Sequence, residues 1–333
     1  MGNTGTKEEN GLKNWPETVC GITWGWTGVR GTWATPEAER SMERMAATGA
    51  NWTTIALAAV QEKAQSTSIP YREAPTVTDE EVRWAIRRAK RLGLKVCLKP
   101  TVNCKDGTWR AYIGFFDEDV PGEPNWQEWF ASYEAMMMHY AGIAEAEGCE
   151  MLCIGCEMVR ADKREAEWRS LIGNVRQAYG GLLTYNCDKY QEDRLTWWDA
   201  VDLISSSGYY PIDDWDAQLD RIEPAVKKWN KPFFFMEAGC PSRTGSSRRP
   251  NDWSLPGEPS EAEQSDYYKA MFAKCAERKW VQGFMLWDWP AKLYPADEAA
   301  ANGDYCFYGK AAEKIVFERY RYSAGERGEE AGR

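Results

Sequence analysis

Residues 125–157 read NWQEWFASYEAMMMHYAGIAEAEGCEMLCIGCE. Asn125 to Glu147 is a proline-free stretch rich in helix formers, and Gly148 stops it. Met151 to Cys156 is an apolar run of strand length, and Glu157 ends it. A buried strand carries apolar side chains along its length and releases polar ones at its end. An acid at such a terminus is better placed for chemistry than an acid in mid-helix. The layout recurs at Phe233-Phe234-Phe235-Met236-Glu237-Ala238-Gly239, where a second glutamate closes an apolar run.

The same rhythm extends in both directions. Strands are expected at Val19 to Trp24, Trp52 to Leu57, Leu94 to Lys99, Met151 to Cys156, Leu182 to Asn186, Val201 to Ser206, Phe233 to Met236 and Val281 to Leu286. Pro100 reads as the end of the third. Helices are expected at Pro36 to Thr48, Asp79 to Leu92, Asn125 to Glu147, Lys163 to Tyr179, Leu195 to Ala200, Asp214 to Trp229, Glu261 to Arg278 and Lys310 to Tyr320. Thr35, Thr78, Asp213 and Ser260 stand at N-cap positions, and Gly49 and Gly93 at helix stops. Alternating units imply parallel strands with helical crossovers, and eight of them imply a closed α/β barrel, the (β/α)8 or TIM architecture. An open doubly wound sheet would want a G-x-G-x-x-G turn after the first strand. Gly21, Gly25, Gly28 and Gly31 lack that spacing.

The barrel is expected to be one domain over residues 15–322, between flexible segments at 1–14 and 323–333, with elaborated loops after strands three, seven and eight. Long loops of this kind tend to carry function.

The net charge of the 333-residue chain is −10, which argues against nucleic acid and against an anionic membrane surface. The basic cluster Arg87, Arg88, Lys90 and Arg91 suits the C-terminal end of a helix dipole. No apolar run is long enough to span a bilayer. Met1 to Asn14 lacks the apolar core of a secretory signal, so the ten cysteines read as reduced thiols of a cytoplasmic protein. Cys153-x-x-Cys156 does not read as a zinc site, because residues three apart on a strand point to opposite faces. No metal and no cofactor are expected, and the protein is expected to be a monomer or a weak oligomer. With a single histidine, His139, a Ser-His-Asp triad is hard to build. Chemistry should rest on carboxylates, tyrosine or lysine.

In a barrel all C-terminal strand ends share one rim, where active sites form. Glu157 ends strand four and Glu237 strand seven, so the two carboxylates can face each other across the mouth. Such a pair is the machinery of glycoside hydrolysis, one acid protonated and one ionised. Indole rings pack against the C–H face of a sugar. Trp24 and Trp26 follow strand one, Trp287 and Trp289 follow strand eight, and Trp109 and Trp253 lie in the long loops. Lys99, Asn103, Asn186, Tyr209 and Tyr210 also fall near the rim, with hydrogen-bonding groups for hydroxyls. The candidate sugar-binding set is Trp24, Lys99, Asn103, Trp109, Asn186, Tyr210 and Trp287. Cys104, Cys156, Cys187 and Cys240 read as small packing residues. Other readings are a sugar-binding barrel without catalysis, a glycosidase for β-glucan or xylan, and a Schiff-base aldolase using Lys99.

Several stretches carry a family resemblance: Gly21-Ile22-Thr23-Trp24, Gly49-Ala50-Asn51-Trp52, Leu98-Lys99-Pro100, Ile154-Gly155-Cys156-Glu157, Leu183-Thr184-Tyr185, Gly208-Tyr209-Tyr210-Pro211, Phe235-Met236-Glu237-Ala238-Gly239 and Gly283-Phe284-Met285-Leu286-Trp287. In this order they resemble glycoside hydrolase family 113, a β-mannanase family among the retaining glycosidases of clan A. The resemblance implies Glu157 as general acid/base, Glu237 as nucleophile, Tyr209 as the group orienting the nucleophile, and Trp287 as platform at the cleavage point. It implies cleavage of β-1,4-mannosidic linkages. Many clan A enzymes carry Asn before the acid/base, where this chain has Cys156. A cytoplasmic setting would make imported oligosaccharides the substrate, favouring exo action on short oligomers.

Overall fold

A computed structural model describes residues 18–254 and 257–330, with 324–330 as backbone alone. The expected flexible segment 1–14 lies outside the described residues. Eight strands close into an all-parallel barrel in chain order: β1 Val19–Trp24, β2 Trp52–Gln61, β3 Lys95–Cys104, β4 Met151–Cys156, β5 Leu182–Cys187, β6 Leu203–Gly208, β7 Phe233–Ala238 and β8 Val281–Trp289. The (β/α)8 expectation holds. The helices are α1 Pro36–Ala46, α2 Asp79–Arg91, α3 Trp126–Ala146, α4 Glu165–Ala178, α5 Trp215–Trp229, α6 Glu261–Ala276 and α7 Ala311–Glu330.

Four differences from the sequence reading bear on the site. Between β5 and β6 there is only a short 3-10 turn, Trp198–Ala200, in place of the expected helix. The last helix runs to Glu330, so the expected C-terminal tail begins inside it. Asp213 is not a cap: Asp214 holds the N-cap of α5, without a side-chain bond to the helix backbone. The fourth concerns Pro100, which lies inside β3 opposite Leu57 rather than ending it. The N–H of Lys95 bonds Asn51 O on the β2 side, and Val96 O accepts from Glu150 on the β4 side. Successive residues therefore alternate between neighbours, and the proline nitrogen falls on the β4 side. Pairing with β4 covers only Cys97 and Leu98, so the missing donor costs no ladder bond. β2 and β3 consequently rise together to Gln61 and Cys104 and lift one side of the rim.

Caps match elsewhere. Thr35 accepts from Ala38 N, Thr78 and Glu81 form a capping box, and Ser260 accepts from Glu263 N. The basic face of α2 is spent on ion pairs, Arg87 with Glu147, Arg88 with Glu43 and Lys90 with Glu150. No helix among the described residues is long and apolar enough to cross a membrane.

Alternation along the strands divides the core. Trp52, Cys97, Met151, Cys153, Phe234, Met236 and Met285 belong to the cluster that fills the lower lumen. A larger cluster packs between barrel and helices. Tyr320 of α7 donates to Gly21 O at 2.7 Å, tying the last helix to the first strand. Gly283 of β8 pairs with Val19 at φ +130°, and a Cβ there would stand 2.1 Å from Val19 O. That atom is backbone and cannot swing aside. Gly283→Ala is expected to cost at least about 1–3 kcal/mol, from strained φ and clash together. Denaturant unfolding measures it, and an unchanged midpoint would contradict this account of the β1–β8 seam.

Candidate active site

At the C-terminal rim lies a cavity of about 550 Å³, with Glu157 and Glu237 in its wall. β4 delivers Glu157 by breaking its own alternation. Its register against β5 slips between Cys153 and Cys156. Cys153 sits in the lumen cluster and Ile154 in the outer one, while a Cβ on Gly155 would also meet outer-layer rings. Cys156 then faces inward again, its thiol donating to Glu237 Oε1 at 3.4 Å. The opposite-face argument against Cys153 and Cys156 therefore fails, since the bulge turns both inward. Among the described residues no cluster suited to a metal forms there.

Glu157 takes φ +53°, a left-handed conformation that non-glycine residues occupy at a cost of order 1–3 kcal/mol. Its carboxylate accepts from Ser207 Oγ at 2.7 Å, from Arg110 at 2.8 Å and from Trp109 Nε1 at 3.3 Å. Arg110 also donates to Asn103 Oδ1 at 3.1 Å and lies 5.1 Å from the Trp26 ring centroid.

Glu237 has a different shell. Lys99 Nζ forms an ion pair with it, Tyr209 OH donates at 2.9 Å and Asn186 Nδ2 at 3.3 Å. Burial by itself would raise its pKa, but the Lys99 charge and hydrogen bond, followed by Arg110 and Tyr209, bring it below the ordinary carboxylate value. Glu237 is therefore ionised at neutral pH. Burial likewise works against charge on Lys99, yet its pKa is raised; Cys156 beside it is itself pushed up by burial and stays a neutral thiol, so the stabilising anion is Glu237. One relay links the two acids: Asn186 Nδ2 reaches Glu237 and, at 3.2 Å, Ser207 Oγ, which donates to Glu157.

The other predicted residues divide into three groups. Asn103, Trp109, Tyr209 and Trp287 line the cavity. Lys99 and Asn186 lie fully buried beneath it, against Glu237. Trp24 and Tyr210 do not face it, and their assignment to sugar binding is corrected. Trp24 shares the outward face of β1 with Cys20 and Ile22, donates to Ser41 Oγ of α1 at 3.2 Å and packs on Trp33. Tyr210 points outward to Glu192 and Trp215. Their neighbours fill the role, Trp26 edge-on to Trp287 at 5.2 Å and Tyr209 on Glu237. The sequence reading missed Arg110, Ser207 and Asp188. Ser207 had a signal, in three serines crowded into a strand that should be buried; Arg110 had none beyond its place in a long loop.

Asp188 also lines the cavity. Burial, then the nearby charge of Glu157, raises it to about 7. Burial raises Asp288 to about 7 and Asp162 to about 8.

The profile of Glycoside Hydrolase Family 113 matches residues 22–310. The chain belongs to this family. Two solved structures of a family 113 β-1,4-mannanase, one of them a complex, are 53% identical at a TM-score of 0.91, over 92% of this chain and 99% of theirs. The family 113 β-mannanase AaManA of Alicyclobacillus acidocaldarius, solved in complex with ManMIm, is 47% identical at a TM-score of 0.90, over 92% of this chain and 98% of its own. A β-glucuronidase of Ruminococcus gnavus, 16% identical at a TM-score of 0.61 over 92% of this chain and 50% of its own, shares the fold alone. A search of curated proteins found no match.

In this family 113 barrel, Trp24→Ala should cost about 3–5 kcal/mol of stability with little change in KM. Trp26→Ala should do the reverse, and steady-state kinetics beside thermal melts separate the two. The buried acids make a second expectation. Asp162 and Asp288 bind protons more tightly folded than at their ordinary value of 3.8, so their contribution to stability is full below that value. It is lost as pH rises through about 7 and 8. Asp288→Asn should flatten the decline of Tm between pH 5 and 9, and an identical slope in the variant would refute the assignment.

Proposed function

We infer that this protein hydrolyses β-1,4-mannosidic linkages with retention of configuration. Membership of family 113 supports the reaction. The observation that carries the assignment of roles is the asymmetry of the two shells. Glu237 is held anionic by Lys99 and Tyr209, as a nucleophile must be. Glu157 lies on the same cavity, beside Trp109 at the open rim, where a departing sugar leaves.

In the first step a Glu237 oxygen attacks the anomeric carbon and the glycosidic C–O bond breaks. Glu157 gives its proton to the departing oxygen, leaving a glycosyl ester on Glu237. In the second, Glu157 takes a proton from water, the hydroxide oxygen bonds the anomeric carbon, and Glu237 leaves as carboxylate with Glu157 reprotonated. Arg110, Ser207 and Trp109 are aimed at Glu157 and stabilise its carboxylate between the steps. Tyr209 bonds Oε2 of Glu237 while Lys99, Cys156 and Asn186 bond Oε1, so the carboxylate plane is fixed from both sides.

Trp287, Trp26 and the exposed Trp109 and Trp253 give the cavity flat apolar surfaces suited to consecutive sugar units. The proposed substrates are short manno-oligosaccharides attacked from one end, by an enzyme working in the cytoplasm. The ten cysteines, all buried, support a reducing compartment. Lys99 held charged by Glu237 counts against the aldolase reading, which needs a neutral amine.

Glu157→Ala is expected to lower kcat on mannotriose by about 10²–10⁴-fold. Glu237→Ala should lose at least as much, and a 2-deoxy-2-fluoro mannosyl donor should label Glu237 in the wild type. NMR of the first product should show the β anomer; an α product, or turnover surviving in both variants, would remove the mechanism. Mannohexaose digested faster than long mannan, with one product accumulating from the start, is the expected outcome for short-substrate action.

A further inference from the structure

The left-handed turn at Glu157 needs something to hold it, and the acid itself does not supply that. The two amides flanking its Cα are both taken by β5. Glu157 N–H donates to Asn186 O at 2.8 Å, and Met158 N–H donates to the hydroxyl of Tyr185 at 2.9 Å. The second bond is unusual in kind, because a side-chain oxygen stands where a sheet would use a carbonyl. That hydroxyl in turn donates to Asp162, whose own N–H bonds back to Met158 O at 2.9 Å. Met158 is thus held at both its N–H and its C=O.

The Tyr185 ring has little freedom to give up this position. It is fully buried and packs on Trp168 at 5.2 Å and on Trp197 at 5.0 Å. The ring also lies over Gly155, where a Cβ would stand 2.7 Å from it and 2.9 Å from Trp168. The missing side chain at Gly155 lets the tyrosine come close enough for its hydroxyl to reach past Glu157. Asp162 Oδ2 is buried with no hydrogen-bond partner among the described residues. A lone interior carboxyl of this sort is costly, and its one strong contact is the tyrosine.

We propose that Tyr185, backed by Asp162, is a positioning residue that fixes the acid/base carboxylate of Glu157 by pinning the amide after it. It touches no substrate and does not line the cavity. The proposal rests on the reading of Glu157 as acid/base. In kcat/KM, which reports the first step, its effect should therefore appear only where proton donation matters.

The test compares two substrates. An aryl β-mannobioside with a dinitrophenolate leaving group needs no proton to depart, whereas mannotriose does. Tyr185→Phe keeps the ring packing and removes the hydroxyl. It is expected to lower kcat/KM on mannotriose roughly 10- to 100-fold, with KM little changed, and to leave kcat/KM on the aryl glycoside near wild type. Asp162→Leu should show the same split, and Asp162→Asn, which keeps an oxygen for the hydroxyl, should lose less. These two variants decide the matter if Tyr185→Phe does not fold. Equal losses on both substrates, or no loss on mannotriose, would overturn the proposal. Glu157→Ala is the control: if it shows no leaving-group split, the acid/base reading fails, and if it alone shows one, only the role of Tyr185 fails.

Discussion

The barrel mouth is organised around one buried ion pair, Lys99 with Glu237. Neither charge is stable in the lumen without the other, since removing one partner strands an uncompensated ion in a low-dielectric interior. Lys99 is fully buried and Glu237 nearly so. Their pairing holds Glu237 ionised, and so distinguishes its surroundings from those of a chemically identical side chain across the mouth. The shell around Glu157 contains a cation too, Arg110, but that residue comes from a loop at the open rim rather than from the lumen floor. One acid is thus held from the lumen floor and the other from the side of the mouth.

Cys156 fits this arrangement. An inward thiol beside Glu237 is small, weakly polar and kept neutral by burial. It adds one donor without adding charge, and Asn186 Nδ2 approaches its sulfur at 3.1 Å. Asn186 of β5 brings a side-chain amide beside it, buried beneath the cavity.

Much of this was legible in the sequence, for identifiable reasons. β4 ends where its apolar run meets Glu157 and β1 where it meets Gly25, and both have the bounds expected. β2 and β3 run further than expected because Ala58 and Ala59 and the Thr101–Val102 step continue the pattern past the apparent stops. Pro100 misled because a sequence does not say which neighbour an amide faces. Trp24 and Tyr210 were near the rim but one step out of phase: inward or outward is a parity, and only the assembled barrel sets it. The turn at Glu157 is a bulge, which a pattern of period two cannot register. Arg110 and Ser207 reach Glu157 from far along the chain, so their roles exist only in three dimensions. The two glutamates stood out because each was an acid closing a buried strand.

The connection between β5 and β6, which lacks an α-helix, has its own consequence. With only a 3-10 turn there, the flank behind Tyr185 is panelled by indoles, Trp168 stacked on Trp197 at 5.2 Å and Trp198 beside them at 6.1 Å. A cylinder of flexible aliphatic side chains can absorb a displaced neighbour by changing rotamers. Flat rings pressed face to face have few alternatives, and they transmit a push instead. A panel of packed rings thus stands behind the tyrosine that bonds the amide following Glu157.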